Sequence, residues 1–430
     1  MNEPVFWEAL STTSCIAAMV LMWIIASKMD RTAVSPTPLF IAIWITFFAP
    51  GIILVLMFDP MRLSSSAYFL ILAFSVAIFF GSMFGNFLAP TSFRIRELNG
   101  RQFKMLRMLY CLTAVLLMIE AILSLKYYID FTNTTNLTQL PGAIASIRYG
   151  SPLTEEPTII SLLHVFRFVA PSIHGFICSD LRRWRYFHAV YLWLVPITLV
   201  TVIFSSRSQF MFSVAFWLSG YITGSGYFGT AQRLRFSRII AIYVAFNIVA
   251  VPFAYLIYAI RWESISPSQV TLASPVMAVF GIPVVMGDWI DQGGLKKLDT
   301  DFHLRSMQSL SKTIGIISET TPGLYTDVSA LDIGGEEADS NIFSAFRPLL
   351  DDLGLFGSFT FTIVFSLMAS FCWSCLKSGL ITGIPIVFVY SVWTIWSPLT
   401  SAFAYNAVLA ACVLTPACII WSLSKGQRFR

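Results

Sequence analysis

Asn341-Ile-Phe-Ser-Ala-Phe-Arg-Pro-Leu-Leu-Asp-Asp-Leu-Gly-Leu-Phe-Gly357 is the point at which a long acidic loop returns to an apolar span. If the stretch is helical, Arg347 and Asp351 lie four residues apart and share a face, while Gly354 and Gly357 let the backbone bend or pack closely. An arginine and a pair of carboxylates then stand beside the entrance to a bilayer, a place that suits a lipid-linked phosphate. The plainer reading is an interfacial salt bridge ahead of a membrane span.

Outward from this stretch the chain is strongly apolar. Its 430 residues are 56% hydrophobic and 12% charged, with a mean hydropathy of +0.73, which excludes an ordinary soluble domain and predicts a polytopic membrane protein. The formal charge of +5 does not point to nucleic acid, because the basic residues alternate with apolar spans as insertion topology requires. The seven cysteines fall in or at the ends of those spans, so no disulfides are expected. Cys372 and Cys375 form a C-x-x-C string inside a span with no second ligand pair, which reads as packing; no metal and no cofactor are expected. Met1 is followed by no charged leader and cleavage site, so the first apolar segment is expected to remain as a helix.

At about 20 apolar residues per crossing, spans fall near 5–27, 36–58, 66–89, 108–125, 158–178, 187–205, 209–228, 239–260, 356–376, 380–398 and 403–424. The fold class is therefore all-α: a single integral membrane domain, 1–430, of about eleven transmembrane helices. Its two long loops are 126–157 and 261–355. Lysine and arginine orient it. Lys28, Arg31, Arg94, Arg96, Arg101, Lys104, Arg107, Arg182, Arg183, Arg185, Arg233, Arg235, Arg238, Lys377, Lys425, Arg428 and Arg430 all fall on one side of this topology. These 17 of the 28 basic residues make that side cytoplasmic and both long loops external.

The second loop is acidic, with 13 of the 23 Asp and Glu residues against six basic ones. Its segment 270–286 is nearly free of charge but interrupted by Pro275, Gly281 and Pro283, so it is predicted to be re-entrant or interfacial. Leu304, Met307, Leu310, Ile314 and Ile317 recur every three or four residues and predict an amphipathic helix, which makes the loop a lid with apolar undersides.

Charges inside spans cost enough that each needs a reason to be there. Arg167 sits some ten residues into the fifth span with His164 one turn outward and His174 about two turns inward; the three line a polar seam. Arg167 either serves a site or pairs structurally with Glu120 or backbone carbonyls. Arg207 is alone in the tight Ser205-Ser206-Arg207-Ser208 turn, and an arginine offers phosphate a planar fork. Arg148 stands in the first long loop and Arg261 at the outer end of the eighth span, so four arginines converge topologically on the outer face. Gly220 and Gly224 read as close helix packing. Nucleotide-binding, zinc-protease and serine-hydrolase signatures are missing.

Two motifs and the loop architecture resemble the O-antigen polymerases, the Wzy-type polymerases of oligosaccharide repeat units. The motifs are Ser206-Arg207-Ser208 opening a span, and Asn341 through Phe346-Arg347 followed by Asp352-Leu-Gly354-Leu-Phe-Gly357. The latter looks like the family's N-x-(F/Y)-(S/T)-x-(F/L)-R ending and D-x-G-x-x-G entry. One spacing departs: the sixteenth position after Arg148 is His164 where some members have glycine.

The resemblance implies a GT-C-like architecture in the bacterial inner membrane with its active site facing the periplasm. It implies inverting glycosyl transfer between two undecaprenyl-diphosphate-linked glycans, donor and acceptor, amid membrane lipids and alongside a chain-length regulator protein. Arg207 and Arg347 would meet the diphosphate, Arg148 would position glycan, and Arg167, Arg261 and Asn341 complete the substrate-binding candidates. Asp351, Asp352, Asp288, Asp291 and His164 are the candidate bases. Trp289 and Tyr325 are candidates to stack on sugars. A glycan ligase, a flippase and a structural subunit are the rival readings.

Overall fold

The computed structural model describes residues 3–59, 63–89, 96–133, 140, 143–144, 157–180, 182–203, 207–231, 281–296, 298, 305–315, 329–332, 337–340 and 344–425. Long apolar runs set the first four helices, α1 (Glu3–Asp30), α2 (Pro36–Phe58), α3 (Ser65–Leu88) and α4 (Gly100–Thr132), of which α2 accommodates an internal Pro50. Asn99 and Gln102 start α4 with a reciprocal capping box. There follow α5 (Thr158–Leu163), α6 (Phe166–Cys178), a 3-10 turn at Trp184–Val190, α7 (Tyr191–Ile203) and α8 (Arg207–Phe228). The last group is α9 (Ile282–Asp291), α10 (Gln308–Thr313), α11 (Phe346–Ser378), α12 (Ile384–Trp396) and α13 (Asn406–Lys425).

Among the described residues, eight helical segments are long and apolar enough to cross a membrane, so the chain is a multi-pass membrane protein. Of the eleven predicted spans, 239–260 lies outside the described residues; the others fall on helices. Two of those stop short of the crossing criterion: α12 is short, and α8 carries the serines, threonine and glycines that its packing uses.

The helices group into two compact units. In the first, containing α1–α3 and α9–α12, α3 lies against α11 with almost no side chain between them. A Cβ on Gly81 would stand 2.4 Å from the Ile363 carbonyl oxygen, and one on Gly85 2.3 Å from that of Leu367. Ser370 donates to Ser82 at 2.7 Å and Ser374 to Asn86 at 3.3 Å across this seam. Asn86 in turn donates to Asp30 at 2.6 Å.

The second unit, containing α4–α8 and α13, repeats the device. A Cβ on Gly175 would stand 2.1 Å from the Trp217 carbonyl oxygen, and one on Gly220 2.1 Å from that of Ser172. Ser213 donates to the Arg167 carbonyl at 2.9 Å and Ser172 to that of Phe216 at 3.2 Å. In lipid, where burial alone does not drive helices together, such close backbone approach and interhelical hydrogen bonding hold them. Gly220 thus packs as predicted.

Four local expectations change. The span predicted at 356–376 begins ten residues earlier, at Phe346, and bends at Gly354 (φ 63, ψ 179), a conformation open essentially to glycine alone. Pro283 lies in the first turn of α9, where its missing N–H costs nothing, so it starts a helix instead of interrupting one. The amphipathic helix expected over 304–317 is, in its described part, a 3-10 turn at Arg305–Met307 and the six-residue α10. Met307 leaves helical geometry and Gly315 (φ 78) ends the run. The second long loop also contains a two-stranded antiparallel ribbon, β1 (Ser329–Asp332) paired with β2 (Glu337–Ser340), where the other described elements are helical.

Candidate functional site

The beginning of α11 is fixed from its first residue. Phe346 is fully buried, stacked on Phe74 at 3.9 Å between centroids and enclosed by Trp44, Phe40 and Trp393 at 5.5, 6.0 and 5.8 Å. The Ala345 N–H donates to the Ser397 carbonyl at 2.7 Å, and the Trp44 indole donates to the Ser397 hydroxyl at 3.1 Å. Arg347 is the next residue, 6% exposed, with its guanidinium 5.2 Å from the centroid of Trp289 on α9. Such a cation–π contact contributes roughly 0.5–2 kcal/mol. An aromatic anchor therefore holds the arginine. Trp289, predicted as a sugar platform, lies against that arginine.

The two carboxylates of the same segment also reach the second long loop. Asp352, 8% exposed, accepts from the Arg305 N–H at 2.6 Å, the Ser306 N–H at 2.8 Å and the Ser306 hydroxyl at 2.6 Å. Asp351 faces the Arg305 guanidinium at 3.5 Å. Ser401 donates to the Ser306 carbonyl at 2.7 Å, and Asn406 donates to the Thr313 hydroxyl at 3.1 Å. Together these contacts dock residues 305–306 of the second loop on the entrance of α11 and residues 306 and 313 on the 401–406 segment. Sequence reasoning passed over Arg305 and Ser306; that Arg305 is one of six basic residues in an acidic loop was the available signal.

In the second unit the predicted polar seam separates into two. Arg167 and Glu120 form an ion pair with side chains 2% and 0% exposed, and Ser124 donates to the same Glu120 oxygen at 2.9 Å. His164 Nε2 stands 3.5 Å from that oxygen. His174 belongs to another cluster. Its Nδ1 receives the indole N–H groups of Trp217 at 3.0 Å and Trp193 at 3.3 Å, and its Nε2 meets the Tyr186 carbonyl at 3.3 Å, under the stacked ring of Tyr110. Two donors on Nδ1 make that nitrogen the acceptor, so the proton sits on Nε2 and the ring is neutral.

Among the other predicted residues, Asp291 accepts from the Ser66 hydroxyl at 2.6 Å and Arg207 opens α8. Arg148, Arg261, Asn341 and Tyr325 lie outside the described residues. No group of three or more metal-ligating side chains occurs among the described residues. Comparison with protein-family models, curated proteins and solved structures finds no match to the chain.

Proposed function

We propose that the chain is a membrane glycosyltransferase that polymerises polyprenyl-diphosphate-linked oligosaccharide repeat units at the outer face of a bacterial inner membrane. The observation that carries this reading is Arg347, held 6% exposed beside Asp351 and Asp352 at the mouth of a bent span. An eleven-span topology with basic residues on the cytoplasmic side puts that mouth outside. The acceptor hydroxyl attacks the anomeric carbon, the bond from that carbon to the diphosphate oxygen breaks, and its electron pair leaves with the diphosphate. Arg347 neutralises the departing charge, an effect worth several kcal/mol when preorganised away from water. The hydroxyl proton goes to Asp351. Asp352 is less suited to that task, because three donors already occupy its carboxylate.

The test is the lipid-linked glycan profile of cells lacking the gene and complemented with the intact protein, Arg347→Ala, Arg207→Ala or Asp351→Asn at matched expression. Loss of the ladder to single repeat units is the expected result for Arg347→Ala. Long chains that stay on the carrier lipid would indicate a ligase. An unchanged ladder in the cells lacking the gene would end the glycosyltransferase reading.

A further inference from the structure

We propose that Arg305 is a second anion-binding cation at the entrance of α11, delivered there by Asp352 acting as a clasp; the proposal deepens the diphosphate reading of Arg347 and rests on it. Arg305 lies 47 residues before Asp352, yet the Arg305 and Ser306 backbone N–H groups and the Ser306 hydroxyl all donate to that one carboxylate. Hydrogen bonds from backbone N–H groups to an ionised carboxylate are among the stronger kinds, and the clasp is itself buried. The Ser401 hydroxyl holds the Ser306 carbonyl from the other side. The main chain at 305–306 is thus fixed while the Arg305 side chain stays 44% exposed.

The side chain's partner explains why it is available. Asp351 lies 3.5 Å from the guanidinium, an ion pair with one side chain 44% and the other 14% exposed. Pairs so exposed contribute about 0–1 kcal/mol, because water and salt already screen them. A diphosphate carries more charge than one carboxylate and can take both N–H groups of an arginine edge, so it competes successfully for Arg305. Asp351 is four residues after Arg347 on the same helical segment, which brings the Arg305 guanidinium within about one turn of Arg347. An anion that engages both arginines also draws Arg305 away from Asp351. The ligand class is a diphosphate ester, with the two arginines on its oxygens and the lipid chain leaving toward the span.

The experiment measures binding of farnesyl diphosphate and of inorganic pyrophosphate to the full chain in nanodiscs by calorimetry. Arg305→Gln, at an exposed side chain, is expected to fold normally and to weaken both ligands about tenfold, with Arg305→Lys intermediate. Asp352→Asn is expected to weaken them similarly and to raise the reactivity of a cysteine introduced at Ser306 toward a water-soluble maleimide. Unchanged affinity in Arg305→Gln, or no binding by the intact protein, overturns the proposal. The glycan profile reports separately: a normal ladder alongside weakened diphosphate binding would retain the anion site and reject the polymerase reading, whereas a ladder lost in Arg347→Ala with Arg305→Gln affinity unchanged would do the reverse.

Discussion

Each of the two units closes around a glycine-and-serine helix seam, α3 on α11 in one and α6 on α8 in the other, and in each a seam helix carries a buried arginine. The arginines stand in different settings. Arg167 meets Glu120 within its own unit, and the pair is sealed from solvent. Arg347 stands at the start of a span, over an aromatic ring, beside carboxylates whose contacts run to an incoming loop. Burial alone does not make an arginine a ligand-binding residue. What separates the two is the setting: Arg167 and Glu120 are both sealed from solvent, whereas the carboxylates near Arg347 also hold Arg305 and Ser306 of the second loop.

That distinction breaks most directly at Glu120. Glu120→Ala leaves the Arg167 charge buried without its carboxylate, and removing one partner of a buried pair costs about 3–5 kcal/mol. The expected outcome is a large loss of detergent-solubilised folded protein, recovered by the double change Glu120→Leu with Arg167→Met. If Glu120→Ala retains the melting temperature of the intact protein, the pair is not structural and the comparison fails.

Next in size are two glycines that do different jobs. Gly220→Ala would drive a Cβ to 2.1 Å from the Ser172 carbonyl oxygen, so α6 and α8 must separate, at about 1–3 kcal/mol. Gly354→Ala meets no atom within 4 Å but strains a backbone at φ 63 and ψ 179, again at about 1–3 kcal/mol. Thermal unfolding should fall in both. A second measurement separates them: Gly354→Ala should alter diphosphate affinity, because the bend lies beside the Arg347 segment, and Gly220→Ala should not. The smallest effect is expected at the first unit's seam, where Ser370→Ala removes one hydrogen bond to Ser82, worth about 0.6 kcal/mol. A melting shift well beyond that would mean the seam rests on its serines more than on its glycines.

Much of the framework was legible in the residues. Hydropathy and length located the helices, and the Gly220 spacing announced a close contact, because helix formation and small-residue stripes are properties of residues three or four apart. The candidate site was half legible. Phe346-Arg347 and Asp351-Asp352 could be read as an arginine and carboxylates at a span entrance. Their helical spacing put Arg347 and Asp351 on one face, but it gave no sign that Asp352 would clasp Arg305 and Ser306. Likewise the helical arc of His164, Arg167 and His174 predicted one seam, whereas neighbouring helices divided it between Glu120 and two tryptophans.

By itself the sequence determined that this is a multi-pass helical membrane protein, where most of its helices run and which residue types stand at the entrance of α11. Only the tertiary structure decided which charges meet. The Arg167–Glu120 pair joins residues 47 apart, and the Asp352 clasp joins residues 46 and 47 apart. Local periodicity carries no information across such separations; the partners are chosen by which helices pack and how closely their glycines let them approach.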